Sequence, residues 1–373
     1  MNHAIHDLKM IFATNDPRFL HLKTELKKKI DVLYSSDYEP VSTINKYAAA
    51  LLSFHPNRKV WWNKYQWHPL MQSGRRKKLN KSVQGAWNQF DALLMVGSWF
   101  QPFRRVEYNK PFFVYIDQSC NKVADKYDIQ SKALNKARVR FNETQFIIYQ
   151  HCQTIFCMSE WARKQTLEAH NIPDQKVIKV GWGPVGVNLL NDPITIDNQE
   201  PYILFVGHEF KRKGVDLLRA AIPAVIKEIP NVRFKVVGGN SDHLHIEPHP
   251  NLDLLGAVRN LNTMKELYRN ATIFVLPHRF DRSPHVLLEA MSAGKPIITS
   301  CQGGAPEVVQ ESKNGFLIEV GDIEALSHHI VTLLKNRNMC LAFGEQGRNI
   351  MRSSYTWEAV ASKMLSIIAS KVQ

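Results

Sequence analysis

The chain has 373 residues, of which 44% are hydrophobic and 22% charged, with 18 Gly and 18 Pro; this is material for two domains with separate cores, and it excludes a disordered, collagenous or low-complexity chain. The formal net charge of +14 is uneven: residues 1–190 hold 28 Lys and Arg against 15 Asp and Glu, and residues 191–373 hold 20 against 19. A cationic first half calls for an anionic partner: nucleic acid, a membrane surface, or a phosphorylated or acidic substrate.

In chain order, KMIFAT (9–14), IDVLYSS (30–36), DALLMVGS (91–98), PFFVYID (111–117), TIFCMS (154–159) and KVIKVGW (176–182) read as strands of the first half. Between Glu39 and Asp91 there is no acidic residue, and residues 40–90 hold nine cations, among them Arg75, Arg76, Lys77 and Lys78. Trp61, Trp62, Tyr65 and Trp67 are interleaved with them. Three readings fit this stretch: attachment to an anionic interface, where tryptophans settle at the headgroups; nucleic-acid binding with base stacking; or a solvated face over a core that uses some of the tryptophans.

Cys120, Cys152, Cys157, Cys301 and Cys340 form no CxxC pair, which predicts a reducing compartment, no disulfide framework and no structural zinc. The first ten residues lack the layout of a signal peptide, and no apolar run approaches the ~20 residues of a membrane span. The expectation is a cytoplasmic chain able to visit a surface.

The segment Gly181-Trp-Gly183-Pro-Val-Gly186 matches G-x-G-x-x-G letter for letter. A dinucleotide fingerprint needs a helix opening at its last glycine. Pro184 and Pro193 leave no room for one, so the segment reads as a turn leading into an interdomain linker. The second half is cleaner: YILFVG (202–207), RFKVVGG (233–239), IFVLP (273–277) and PIITS (296–300) read as buried strands. Helical periods run through 214–229 and 262–271. Strands alternating with amphipathic helices predict parallel, doubly wound sheets.

Chemistry concentrates in VLPHRFDRSPHVLLEAMSAGKPIITSCQGGAPEVV (275–309). Ser283-Pro284 predicts a helix N-cap followed by proline at the first helical position, and Gly294 predicts the stop. The helix start at His285, Val286 and Leu287 is then a natural anion site. Glu289 lies five residues past Pro284, about 7.5 Å along the axis, which suits a carboxylate accepting ribose hydroxyls beside a bound pyrophosphate. Asp281, in the loop, is placed to reach a sugar beyond the phosphates.

This segment resembles the donor-binding region of retaining GT-B glycosyltransferases of family 4 (glycosyl transferases group 1), where a Glu, seven residues and a second Glu sit in an LLEAM…GG-PE frame. Asp281 occupies the first acidic position and Glu289 the second, and Gly303, Gly304, Pro306 and Glu307 complete the frame. FVGHEFKRKGVDLL (205–218) is similar to the family's phosphate-binding strand end, with Lys213 on its lysine and His208 where arginine is commoner. Residues 312–330 and 353–365 resemble its closing strand and last helix, and 154–188 more weakly resembles its last N-domain βαβ element. The chain departs from the pattern at Asp281 for Glu, at Asp117 where many members place His, and at Asn15-Asp16-Pro17 in place of a glycine turn.

The resemblance implies an α/β GT-B fold, two Rossmann-like doubly wound domains facing across a cleft. Residues 1–188, joined by a C-terminal helix at 356–371, would form the acceptor domain, 189–200 the linker and 201–355 the nucleotide-sugar domain. It implies a retaining glycosyltransferase moving a hexose from a UDP- or GDP-linked donor to a glycan, glycolipid or lipopolysaccharide-type acceptor. Asp281, Lys213 and Asp117 would be catalytic. Gly207, His208, Arg212, His285, Val286, Leu287, Glu289, Gly303 and Gly304 would bind the donor. No Asp-x-Asp occurs anywhere, so no metal and no cofactor are expected. In this setting the basic stretch, with Arg75, Arg76, Lys77, Lys78, Trp61 and Trp62, is assigned to an anionic acceptor or the inner face of a membrane, and nucleic acid ranks last. The alternative is a GT-B-shaped scaffold that has lost catalysis.

Overall fold

Each strand expected in the first half forms: β1 (Lys9–Thr14), β2 (Asp31–Asp37), β3 (Ala92–Val96), β4 (Phe112–Ile116), β5 (Thr154–Cys157) and β6 (Val177–Lys179). The computed structural model describes residues 7–14, 16–37, 42–56, 61, 64–65, 68–97, 110–118, 132–195, 201–239 and 246–372, without the side chains at 34–37, 72, 75, 76, 78–80, 82, 132–138, 140 and 141. These strands make one parallel sheet in the order β2-β1-β3-β4-β5-β6. Every residue of β3 and β4 is buried, as expected where helices cover both faces of a parallel sheet. In place of a glycine turn after β1, the Asp16 side chain accepts from Arg18 N at 3.0 Å and caps a short 3-10 turn at Pro17–Phe19; Asn15 lies outside the described residues.

The second sheet is also parallel, in the order β12-β11-β10-β7-β8-β9. Its strands are β7 (Tyr202–Val206), β8 (Arg233–Val237), β9 (Leu252–Gly256), β10 (Ile273–Leu276), β11 (Ile297–Ser300) and β12 (Gly315–Ile318). Counted within this unit, the order is that of a doubly wound nucleotide-binding sheet. β9 carried no sequence signal because it is an edge strand with no fully buried residue. The Val215–Glu228 helix buries Val215, Leu218, Ala221, Ile222 and Val225, the stripe its period announced.

The chain divides into two units, Met1–Val180 with Ala361–Gln373, and Gly181–Val360. The boundary therefore falls at 180/181, not at 188, and the expected linker is corrected: residues 181–195 are folded into the second unit. Trp182, Val187 and Leu189 are buried. Arg348 donates to the carbonyls of Leu189 and Asp192 at 3.0 and 2.5 Å, and Trp357 Nε1 donates to Pro184 O at 2.6 Å. The glycine of the false dinucleotide motif is explained by packing, since a Cβ on Gly183 would lie 2.6 Å from the Trp357 ring. No helix among the described residues is long and apolar enough to cross a membrane.

Candidate functional site

In the second sheet β7 and β10 are neighbours, with Ile273 paired to Ile203. This is the point where the strand order reverses, and ligands of open α/β sheets bind beyond the strand ends there. The loops that leave β7 and β10 are laced together. Gly214 has φ +84, and a Cβ on it would sit 2.0 Å from Pro277 O, so only glycine lets the two loops meet. Arg279 N donates to Arg212 O at 2.8 Å, and Arg212 Nη1 donates to Phe280 O at 2.9 Å. The Arg279 guanidinium grips Asp216 with two bonds of 2.8 and 2.7 Å.

This lacing brings Lys213 and Asp281 together as an ion pair, both side chains largely buried. Burial works to raise the Asp281 carboxyl, but the Lys213 ammonium, with His278 and Arg212 beyond it, holds it well below the usual carboxylate range. Gly303 and Gly304 press on the same loop. A Cβ on Gly303, at φ +61, would lie 1.7 Å from Asp281 O, one on Gly304 would lie 2.3 Å from Arg282 O, and Gly304 N donates to Asp281 O at 3.1 Å. The glycine pair, assigned to the donor from sequence, thus fixes the backbone that carries Asp281.

The His285–Ser292 helix forms, but its cap is not the one expected. Pro284 holds the N-cap position without a side-chain bond, and the Ser283 hydroxyl is buried with no hydrogen-bond partner among the described residues. The proposed anion site is also narrower: Leu287 N donates to Pro284 O at 3.0 Å, and the His285 ring is tied to Gly183 O at 2.8 Å. The Leu287 side chain is buried and that of Val286 is half-buried.

Glu289 is buried and already engaged. Its Oε1 accepts from Gly186 N at 2.8 Å and its Oε2 from the Tyr268 hydroxyl at 2.9 Å. Burial pushes its carboxyl up, against the lowering by those bonds and by the amides of Val187 and Val185. Ribose hydroxyls would have to use the remaining lone pairs.

The other expected residues are dispersed. Gly207 is buried, with its N–H on Val237 O at 2.9 Å, and His208 is exposed. The Arg212 guanidinium is occupied by Glu209 at 2.6 Å besides Phe280 O. Asp117 lies in the other unit, half-buried at the carboxyl end of β4, where its charge adds to burial in raising Tyr115. Trp61 is structural: its indole donates to Ala50 O at 2.9 Å and stacks on Tyr65. Arg75, Arg76, Lys77 and Lys78 lie on the Pro69–Gly85 helix. Lys77 is exposed, while the side chains of the other three, and Trp62 altogether, lie outside the described residues.

Sequence reasoning missed Tyr268, Arg279, Gly186 and His278. Arg279 and His278 stood inside the segment singled out, two and three residues before Asp281, and that proximity was the one available signal. His278 is fully buried, neither ring nitrogen has a hydrogen-bond partner among the described residues, and burial lowers it to about 4.

Residues 189–350 match the family model described as glycosyl transferases group 1. Spore coat protein SA of Bacillus subtilis is 29% identical over 234 residues, which is 58% of this chain and 61% of that protein. The chain thus spans about three fifths of that relative's length. Among solved structures, sucrose-phosphate synthase from Thermosynechococcus elongatus superposes with a TM-score of 0.69 at 17% identity, over 98% of this chain and 99% of that one. The Anabaena protein HepE in complex with UDP-glucose gives 0.62 at 14% identity, over 97% and 100%. With two parallel Rossmann-like sheets and these neighbours, the chain has the GT-B fold, and its residues 189–350 match the model of the glycosyl transferases group 1.

Proposed function

We propose that the chain is a retaining, metal-independent glycosyltransferase that moves a hexose from a UDP- or GDP-linked sugar to a glycan, glycolipid or lipopolysaccharide-type acceptor. The observation that carries this reading is the Lys213–Asp281 pair held at the switch point between β7 and β10. Transfer passes through an oxocarbenium-like state as charge grows on the departing phosphate. Lys213, assisted by Arg212 or His208, neutralises that charge, and Asp281 holds the sugar hydroxyls. Glu289 shares the ribose with its present partners. The bond from the anomeric carbon to phosphate oxygen breaks, the acceptor oxygen bonds to that carbon, and the acceptor proton passes to the leaving phosphate. Asp117 orients the acceptor hydroxyl. The absence of Asp-x-Asp supports charge neutralisation by protein cations, and the likeness to HepE with UDP-glucose supports a nucleoside diphosphate donor.

The test is a thermal-shift panel of UDP, GDP, ADP and their sugars, followed by turnover assays on Lys213→Ala and Glu289→Ala. Stabilisation by one nucleotide series, weakened in both variants, is the expected result. Variants that bind and turn over like the parent would refute the site, and silence across the panel would favour the scaffold.

A further inference from the structure

The Thr43–Leu52 helix turns an apolar face outward. Ile44, Tyr47 and Leu51 recur at intervals of three and four, which places them on one stripe, and Leu52 and the following Phe54 are exposed as well. These five side chains are between 69% and 80% exposed. The opposite side is anchored: Ala49 is buried against Met71 of the Pro69–Gly85 helix, Ala50 O accepts the Trp61 indole, and Ser42 Oγ caps Asn45 N at 3.3 Å. The helix is therefore fixed in place with an apolar stripe exposed, among the described residues, and an exposed apolar patch marks an interaction surface.

We propose that this face inserts into the headgroup region of an anionic lipid bilayer. Charge decides the occupant. The face lies within residues 40–90, which carry nine cations and no acid, and the packed helix beside it exposes Lys77 and Lys81. An apolar stripe on a helix whose packed neighbour exposes cations matches an acidic leaflet: the aliphatic side chains enter the acyl boundary and the cations meet the headgroups. A second copy of this chain would set two cationic surfaces against each other, and a nucleic acid would leave Ile44, Leu51 and Leu52 without apolar contact. The surface that the sequence assigned to Trp61 and the Arg75–Lys78 run is thereby moved onto the Thr43–Leu52 helix, with Trp61 as its internal support. The inference rests on the first unit alone and is independent of the transferase reading.

The experiment is flotation of the full chain with vesicles of phosphatidylcholine alone and of equimolar phosphatidylcholine and phosphatidylserine, at low and high salt. The parent is expected to float with the anionic vesicles only, and less at high salt. Ile44→Ser/Leu51→Ser is expected to lower partitioning at least tenfold, about 1.4 kcal/mol, with an unchanged melting temperature and unchanged nucleotide-induced shift. Lys77→Glu/Lys81→Glu is expected to weaken flotation and its salt dependence. The proposal is overturned if the parent does not float with anionic vesicles, or if Ile44→Ser/Leu51→Ser floats as well as the parent. It is equally overturned if sedimentation shows a parental dimer that this variant turns into a monomer, which would give the face to a second copy.

Discussion

The Tyr268 hydroxyl donates to Glu289 Oε2 at 2.9 Å, and both side chains are buried. With Gly186 N on the other oxygen, the residue expected to hold ribose is also the residue that ties the 183–187 loop to its unit. Burial raises its carboxyl, so the folded chain binds the Glu289 proton more tightly than the unfolded chain. Stability contributed by this group is then lost as pH rises from the unfolded value through the folded one. Glu289→Gln, which keeps an acceptor for Gly186, is expected to unfold at higher urea than the parent at pH 7, and the advantage should shrink at pH 4. Tyr268→Phe should cost about 1 to 3 kcal/mol by leaving a buried carboxylate oxygen short of a donor.

Lys213 and Asp281 lie 68 residues apart and meet as a largely buried pair. Removing one partner leaves an uncompensated buried charge, which costs about 3 to 5 kcal/mol, whereas removing both can be nearly neutral. Lys213→Met is expected to lower the urea midpoint strongly, and Lys213→Met/Asp281→Asn to recover most of the loss while binding no nucleotide. A double variant as unstable as the single one would mean that Lys213 is needed for packing and not for Asp281.

His278 faces Asp281, Lys213 and Arg212, and burial lowers it from 6.5 to about 4. Between those values the unfolded chain binds the proton and the folded chain does not, so stability falls as pH drops from 6.5 towards 4. At 1.36 kcal/mol per unit the loss is about 3 kcal/mol. His278→Phe should remove that part of the pH dependence, read as a smaller difference between melting temperatures at pH 7.5 and pH 5. Parallel pH profiles for parent and variant would count against the assignment.

Gly303 and Gly256 separate strain from collision. Both have positive φ, +61 and +68, but a Cβ on Gly303 meets Asp281 O at 1.7 Å, and one on Gly256 meets nothing within 4 Å among the described residues. Gly256→Ala should cost about 1 to 2 kcal/mol for the left-handed backbone alone. Gly303→Ala should cost more and displace Asp281, so nucleotide affinity falls with stability. Equal destabilisation of the two variants would show that the 281–282 loop yields freely.

The buried strands, the Val215–Glu228 stripe and the doubly wound class were legible because continuous apolar runs and helical periods are local properties of the chain. Lys213, Asp281 and Glu289 were singled out because residues 205–218 and 275–309 resemble a family's donor-binding pattern, and Lys213 by that resemblance alone. The cap at Ser283 misled because a Ser-Pro pair reports propensity, and packing put Pro284 in the cap position instead. The 181–195 segment misled because its lack of period looked like a linker, while its buried contacts come from Glu289, Arg348 and Trp357, more than 90 residues downstream.

By itself the sequence determined that a cationic half with an acid-free stretch is joined to a nearly neutral half, whose 275–309 segment resembles a glycosyltransferase donor-binding region. Only the tertiary structure decided that Lys213 pairs with Asp281, that Glu289 is already held by Tyr268 and Gly186, and that Ile44, Tyr47 and Leu51 are left bare while Trp61 is consumed in support. The reason is physical: charge and periodicity are written residue by residue, whereas the partner of a buried polar group, and the face that a helix leaves without one, depend on segments brought together across the fold.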